Sequence, residues 1–203
     1  MWWREVHGKR ARSIPCPDGL IFDPSARIDP DAALDTSAGP IAIGARTVIC
    51  RGACIVGPVV IGDDCLIGNG AMIRGTTNVG DGSRIGFASE VKNAVIGKRV
   101  SIGPQCFVAD SKIENDAYLG AQVRTSNHRL DGRTVEVLLD GERHDTGQEK
   151  LGCLIGAGAS LGIQVIVLPG REVAPGAMFG PRITVEKNLP AGRYRLVQPI
   201  QSY

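Results

Sequence analysis

Aliphatic side chains recur along this chain every sixth residue. Ile43, Ile49, Ile55, Ile61, Ile67, Ile73, Val79, Ile85 and Val91 form an unbroken series. A five-residue step then leads to Ile96, sixes lead to Ile102 and Val108, and a second five leads to Ile113, followed by Leu119 and Thr125. After a gap the rhythm returns at Ile155, Leu161, Val167, Val173, Phe179 and Val185, and upstream Phe22, Ile28 and Leu34 keep it more loosely. A fixed short period sustained over most of a chain is the signature of a solenoid. Six residues make one short strand and a turn, and three such sides close a coil. The pattern therefore predicts an all-β, parallel β-helix built from hexapeptide repeats, with the aliphatic pointing inward. The residue four places after it is also inward and small: Cys65, Ala71, Thr77, Ser83, Ser89, Cys106 and Ala159.

The repeat fails in three places, which set the domain reading: residues 1–21 as an N-terminal cap segment, 22–190 as the β-helix, and 191–203 as a tail. Within the β-helix, residues 126–152 break the rhythm. The stretch "TVEVLLDGERH" there carries alternating β-formers around an Asp-Gly turn, which predicts a protruding β-hairpin arm. Irregular ends are expected, because a solenoid must cover its open coils.

Composition narrows the field. Aromatic residues make up 4 % of the 203 positions while Gly reaches 27 and Pro 12, which suits a β-rich repeat better than a helical bundle. Twenty-three basic against 21 acidic side chains leave +2, so nothing favours nucleic acid as a partner. No apolar run is long enough to span a membrane, and no apolar stretch follows the basic "MWWREVHGKRAR" as a signal peptide requires. Six Cys without a CxxC pair suit reduced thiols and a cytoplasmic location.

Two cations interrupt the small-residue surface. Arg74 in "MIRGT" and Lys92 in "SEVKNAVIG" are three hexads apart, so they sit on the same outward side one coil apart, at about 4.8 Å between Cα atoms. At an effective dielectric near 20 such a pair repels by about 3 kcal/mol, partly offset by Glu90. Held together, the two make a site for a small anion, most simply a phosphate, which Arg grips bidentately and Lys as a point charge.

The run "GNGAMIRG", "EVKNAVIG", "TSNHRLDG", "DTGQEKLGCLIG" and "GIQVIVLPG" resembles the glucosamine-1-phosphate N-acetyltransferase domain of archaeal-type bifunctional UDP-N-acetylglucosamine pyrophosphorylases, over about residues 40–190. The resemblance implies a left-handed β-helix, a homotrimer, and acetyl-CoA and an amino-sugar phosphate bound between subunits. It implies substrate contacts at Arg74, Glu90, Lys92, Asn127 and Lys150, coenzyme contacts at Ala121, Ile163 and Pro181, and no metal. The chemistry departs from the family. The general-base His is replaced by Pro104, a Tyr three residues on by Phe107, and a substrate Asn by Tyr118. General-base help is typically worth about 10²–10⁴ in rate. His128, at the root of the arm, is the substitute base of first choice, ahead of Asp110 and His144.

Two functions compete on this reading. One is a hexapeptide-repeat acyltransferase moving an acyl group from acyl-CoA to an amine of an anionic, sugar-phosphate or nucleotide-like acceptor. The other is a non-catalytic trimeric ligand-binding or scaffold protein that has lost its relatives' base. A zinc carbonic anhydrase on the same coil would need three suitably spaced His, and His7, His128 and His144 lack that spacing.

Overall fold

The computed structural model describes residues 1–7 and 19–198, so parts of the expected cap and tail, 8–18 and 199–203, lie outside the described residues. The chain winds as a three-sided parallel β-helix. Its faces are sheets of 8, 9 and 8 strands, each strand pairing with the one a coil away. The coil strands are only two or three residues long because the aliphatic that anchors each is followed at once by a corner. Every residue of the six-and-five series from Ile43 to Val185 is buried, none more than 3 % exposed. The seven small positions four places on are buried as well, and a third thiol, Cys153, joins Cys65 and Cys106 inside.

The ends differ from the loose pattern. Phe22, on the first strand, is 49 % exposed, because among the described residues no earlier coil covers it. At the other end the β-helix extends past 190: Arg193–Tyr194 adds a final strand to the second face, with Tyr194 stacked 4.8 Å from Phe179. The tail thus closes the last coil with an aromatic lid.

The arm forms as its turn chemistry requires. Glu136–Leu139 and Glu142–Asp145 pair antiparallel around Asp140 and Gly141, both at positive φ as a type I′ turn demands. It leans back on its own chain. Val135, Val137 and Leu151 close over Trp2, Trp3 and Val6 in a second apolar cluster, against Val95 and Leu154 on the outside of the first face. Residues 1–7 accordingly lie along the flank of the β-helix. Helix α1 (Trp3–His7) is one turn and a half, too short to persist alone in water, so its helicity depends on this docking. Trp2 adds a hydrogen bond from Nε1 to Glu172 at 2.8 Å, and Glu5 receives Lys112 Nζ at 2.9 Å.

Trp2 and Trp3 are the only tryptophans, and both report this docking. In a urea titration the tryptophan emission shifts at lower denaturant than the far-ultraviolet circular dichroism of the coils. Superimposable transitions would mean that α1 is part of the cooperative unit of the β-helix.

Candidate functional site

The five-residue steps mark one corner of the prism. Where the third face turns into the first, the chain uses Gly75 and Thr76 between Arg74 and the inward Thr77. One coil later Asn93 alone separates Lys92 from the inward Ala94, and a coil further Asp110 alone precedes the inward Ser111. Asn93 and Asp110 take positive φ of 45° and 50° there, as Gly75 does at 63° on the coil before and as turn residues of the other corners do. Asn and Asp tolerate that region better than other side-chain-bearing residues. On the next coil the same corner opens into the arm, which leaves at Asn127 and returns at Lys150, where His128 and Lys150 form an antiparallel bridge. The return packs closely: a Cβ on Gly152 would stand 2.0 Å from Ser111 Oγ.

The tight corner turns Asp110 inward, and its carboxylate is 2 % exposed. A buried carboxylate must find donors. Asn127 Nδ2 donates to Oδ2 at 2.6 Å and Asn93 Nδ2 to Oδ1 at 3.2 Å. Lys92 Nζ stands 4.0 Å from Oδ2, and His7 Nε2, brought in by α1, stands 3.8 Å from Oδ1. His7 Nε2 is buried with no hydrogen-bond partner among the described residues. Burial lowers the His7 pKa from the ordinary 6.5, Asp110 pulls it up, and Lys92 adds to the lowering. The other face of this arrangement is a cleft of about 330 Å³ between α1 and the arm, lined by Trp3, Arg4, His7, Leu139, His144 and Asp145 among others.

Arg74 and Lys92 face each other in register across neighbouring strands, as the three-hexad spacing requires. Each has a carboxylate of its own. Arg74 Nε and Nη2 both donate to Glu90 Oε1 at 2.7 Å, while Lys92 leans to Asp110. The pair is therefore closer to neutral than two bare cations.

A family model described as the GMPPB C-terminal domain matches residues 37–139, a span that includes Arg74, Glu90, Lys92, Asp110 and Asn127. The "Uncharacterized acetyltransferase YaiX" of Escherichia coli O6:K15:H31 (strain 536 / UPEC) is 54 % identical over 176 residues, 87 % of this chain and 76 % of that one. The chain belongs to the GMPPB C-terminal domain family. Its similarity extends at 34 % identity over 105 residues to the bifunctional sugar-1-phosphate nucleotidylyltransferase/acetyltransferase of Sulfurisphaera tokodaii, covering 52 % of this chain and 26 % of that one. A solved UDP-N-acetylglucosamine acyltransferase from Campylobacter jejuni aligns with TM-score 0.47 and 19 % identity over 83 % of this chain and 68 % of its own.

Within this member of the GMPPB C-terminal domain family the remaining positions separate into two groups. Ala121, Ile163 and Pro181 lie in successive turns at the opposite corner, where the second face meets the third. They stack there: a Cβ on Gly120 would meet Ile163 N at 2.9 Å, and one on Gly162 would meet Pro181 N at 2.9 Å. Pro104 occupies the same ladder one coil before Ala121 and is exposed. The width of the third face separates these residues from Arg74, Lys92 and Asp110. His128 is exposed, with Nδ1 3.4 Å from the Glu149 carbonyl, and Lys150 is exposed beside it. His144 lines the α1 cleft with His7. Burial pushes the thiols of Cys65 and Cys106 up, and that of Cys153 up to about 12, so these three are packing groups rather than nucleophiles. Among the described residues no cluster of three or more His, Cys, Asp or Glu is placed to hold a metal ion.

His7 is the residue the sequence pattern did not single out. The sequence signal for its partner was present, since both five-residue steps fall at this corner. Nothing periodic announced that the N-terminus would reach it.

Two outcomes follow from the burial of Asp110. Asn127→Ala removes a charge-assisted hydrogen bond and lowers stability by about 1.5–3 kcal/mol, read from urea unfolding at pH 7. Docking of α1 depends on pH through His7, whose docked pKa lies below its free value. The undocked state binds more protons in that window, so the contribution is complete above pH 6.5 and is lost as pH falls through the docked value. Tryptophan emission between pH 7.5 and 5 follows this loss, and His7→Gln flattens it.

Proposed function

We propose that this protein is a coenzyme A-dependent N-acyltransferase. It moves an acyl group, most simply acetyl, from the thioester to an amine of a small anionic acceptor of the sugar-phosphate or sugar-nucleotide kind. The observation that carries the reading is the 54 % identity to YaiX, named as an acetyltransferase, over 87 % of this chain. The Sulfurisphaera tokodaii relative, named for both a sugar 1-phosphate and acetyl transfer, supports an acceptor of that class.

The residues take the following parts. Arg74 and Lys92, held one coil apart, receive the anionic group, with Lys150 at the mouth of the arm as a third cation. Glu90 keeps Arg74 oriented until the ligand arrives, and Asn127 fixes Asp110 beneath Lys92. Ala121, Ile163 and Pro181 offer a smooth, small-residue ladder along which a pantetheine chain can lie. The amine nitrogen attacks the thioester carbonyl, a C–N bond forms, and the C–S bond breaks to release coenzyme A. The working unit in this reading is a homotrimer. Its cytoplasmic location rests on described cysteines that are all free thiols. The two groups of residues occupy opposite corners of one chain, and in a trimer one subunit's anion site can face a neighbour's coenzyme ladder. Pro104 in place of a proton acceptor favours a second reading, a protein that binds the same ligands without turnover.

Release of free thiol from acetyl-CoA, with a panel of amino-sugar phosphates, separates the two. Acceptor-dependent release supports transfer. A rise in stability near 2.7 kcal/mol at a hundred times Kd of an anionic sugar, with no release and no response to coenzyme A, supports binding alone. Arg74→Ala with Lys92→Ala abolishes binding of the anionic acceptor while circular dichroism stays that of the folded coil. Unchanged affinity in that double variant would return both residues to plain surface.

A further inference from the structure

The Asp110 corner holds an arrangement that neither the repeat nor the family positions call for. His7 arrives from outside the solenoid, places a buried nitrogen 3.8 Å from a buried carboxylate, and lines a cleft. A histidine that only filled space would need no carboxylate behind it. Asn93 and Asn127 donate to Asp110 and Lys92 stands 4.0 Å away, so its burial is met without His7, and its charge is available to the imidazole beside it.

We propose that His7, oriented by Asp110, is the general base of the acyl transfer, taking over the task left open at Pro104, and that the acceptor amine reaches it from the cleft between α1 and the arm. This rests on the acyltransferase reading above. Nε2 stands 3.8 Å from Asp110 Oδ1, and in the tautomer that carries its proton there Nδ1 is the basic nitrogen. As the acceptor nitrogen bonds to the thioester carbonyl carbon, it sheds a proton to Nδ1. The C–S bond breaks, and the proton passes from His7 to the departing thiolate, leaving amide, coenzyme A thiol and neutral imidazole. Asp110 stabilises the imidazolium formed between these events. Burial keeps the resting ring neutral and able to accept a proton at neutral pH. The cleft, about 330 Å³ and carrying Arg4, suits a compact polar acceptor rather than a polymer.

The charged and titratable neighbours define what the pH profile must show. Asp110 and Lys92 face His7 from the corner. Arg4 and Glu5 share its helix, with Glu5 paired to Lys112 from the first face, and His144 and Asp145 face it from the arm. His7→Gln therefore lowers kcat by about 10²–10⁴-fold with little change in the KM for acetyl-CoA. Tryptophan emission shows whether α1 remains docked in that variant. In the wild type kcat/KM rises with pH through the titration of His7. Asp110→Asn moves that limb to lower pH, and Lys92→Met moves it to higher pH, shifts that a purely structural His7 would not produce. Transfer that is undiminished in a docked His7→Gln protein, or a limb that stays in place in both neighbour variants, overturns this inference and leaves the acyltransferase reading standing. A wild-type protein that transfers no acyl group to any acceptor overturns both.

Discussion

A carboxylate withdrawn from water binds together whatever surrounds it, and Asp110 gathers three segments: Asn93 donates and Lys92 stands 4.0 Å away on the coil before, Asn127 donates from the root of the arm, and His7 stands 3.8 Å away on α1. An unpaired charge at that depth would cost several kcal/mol, so none of these groups is free to drift without penalty. The solenoid alone would leave the arm and the N-terminus unplaced, since its repeat specifies only contacts between neighbouring coils. The second apolar cluster brings Trp2, Trp3 and Val6 onto the arm, and the polar hub then fixes how far along the flank they sit.

The coil was readable because its contacts are local in a periodic sense. Each inward aliphatic meets the one a coil away, and the same letter at the same interval is enough to place it. Phe22 shows the boundary of that logic: it has the spacing, yet it is exposed because burial also needs a neighbour on each side. The arm was readable from Asp140 and Gly141, whose conformation is a local property. The docking of α1 was not. Trp2 meets Glu172 across 170 residues, and no interval in the chain encodes that meeting. His7 belongs to the same class, and so its role emerges only from the folded geometry. The Arg74–Lys92 register was legible from the period alone, but their separate carboxylate partners depended on which way each side chain turned.

Those partners differ in a way that bears on ligand binding. Arg74 and Glu90 are 41 % and 30 % exposed at the side chain, and an ion pair that wet is worth about 0–1 kcal/mol. An incoming phosphate can replace Glu90 at small cost and gains a bidentate grip. Lys92 stands over a buried carboxylate that has no water to fall back on, so its charge stays committed to the corner. Of the two cations, Arg74 is the one released to a ligand, while Lys92 lends its field from a fixed position.

A solenoid repeats its environment at every rung, which is good for stability and poor for chemistry, because a reaction needs one place unlike the others. Here the difference is made by removing rather than adding. Two coils each lose a residue at the same corner, so that Asn93 and Asp110 stand alone between the strand and the next inward position. The next coil spends its extra length at that corner as the arm, and the N-terminus returns to the space the arm shelters. Irregularities that would destabilise an isolated rung thus meet at one point, where Asn93 and the arm's Asn127 satisfy Asp110 and α1 brings His7 beside it. That convergence argues for a selected site: a chain that only needed to close its prism could have kept the six-residue step through this corner and buried another aliphatic there.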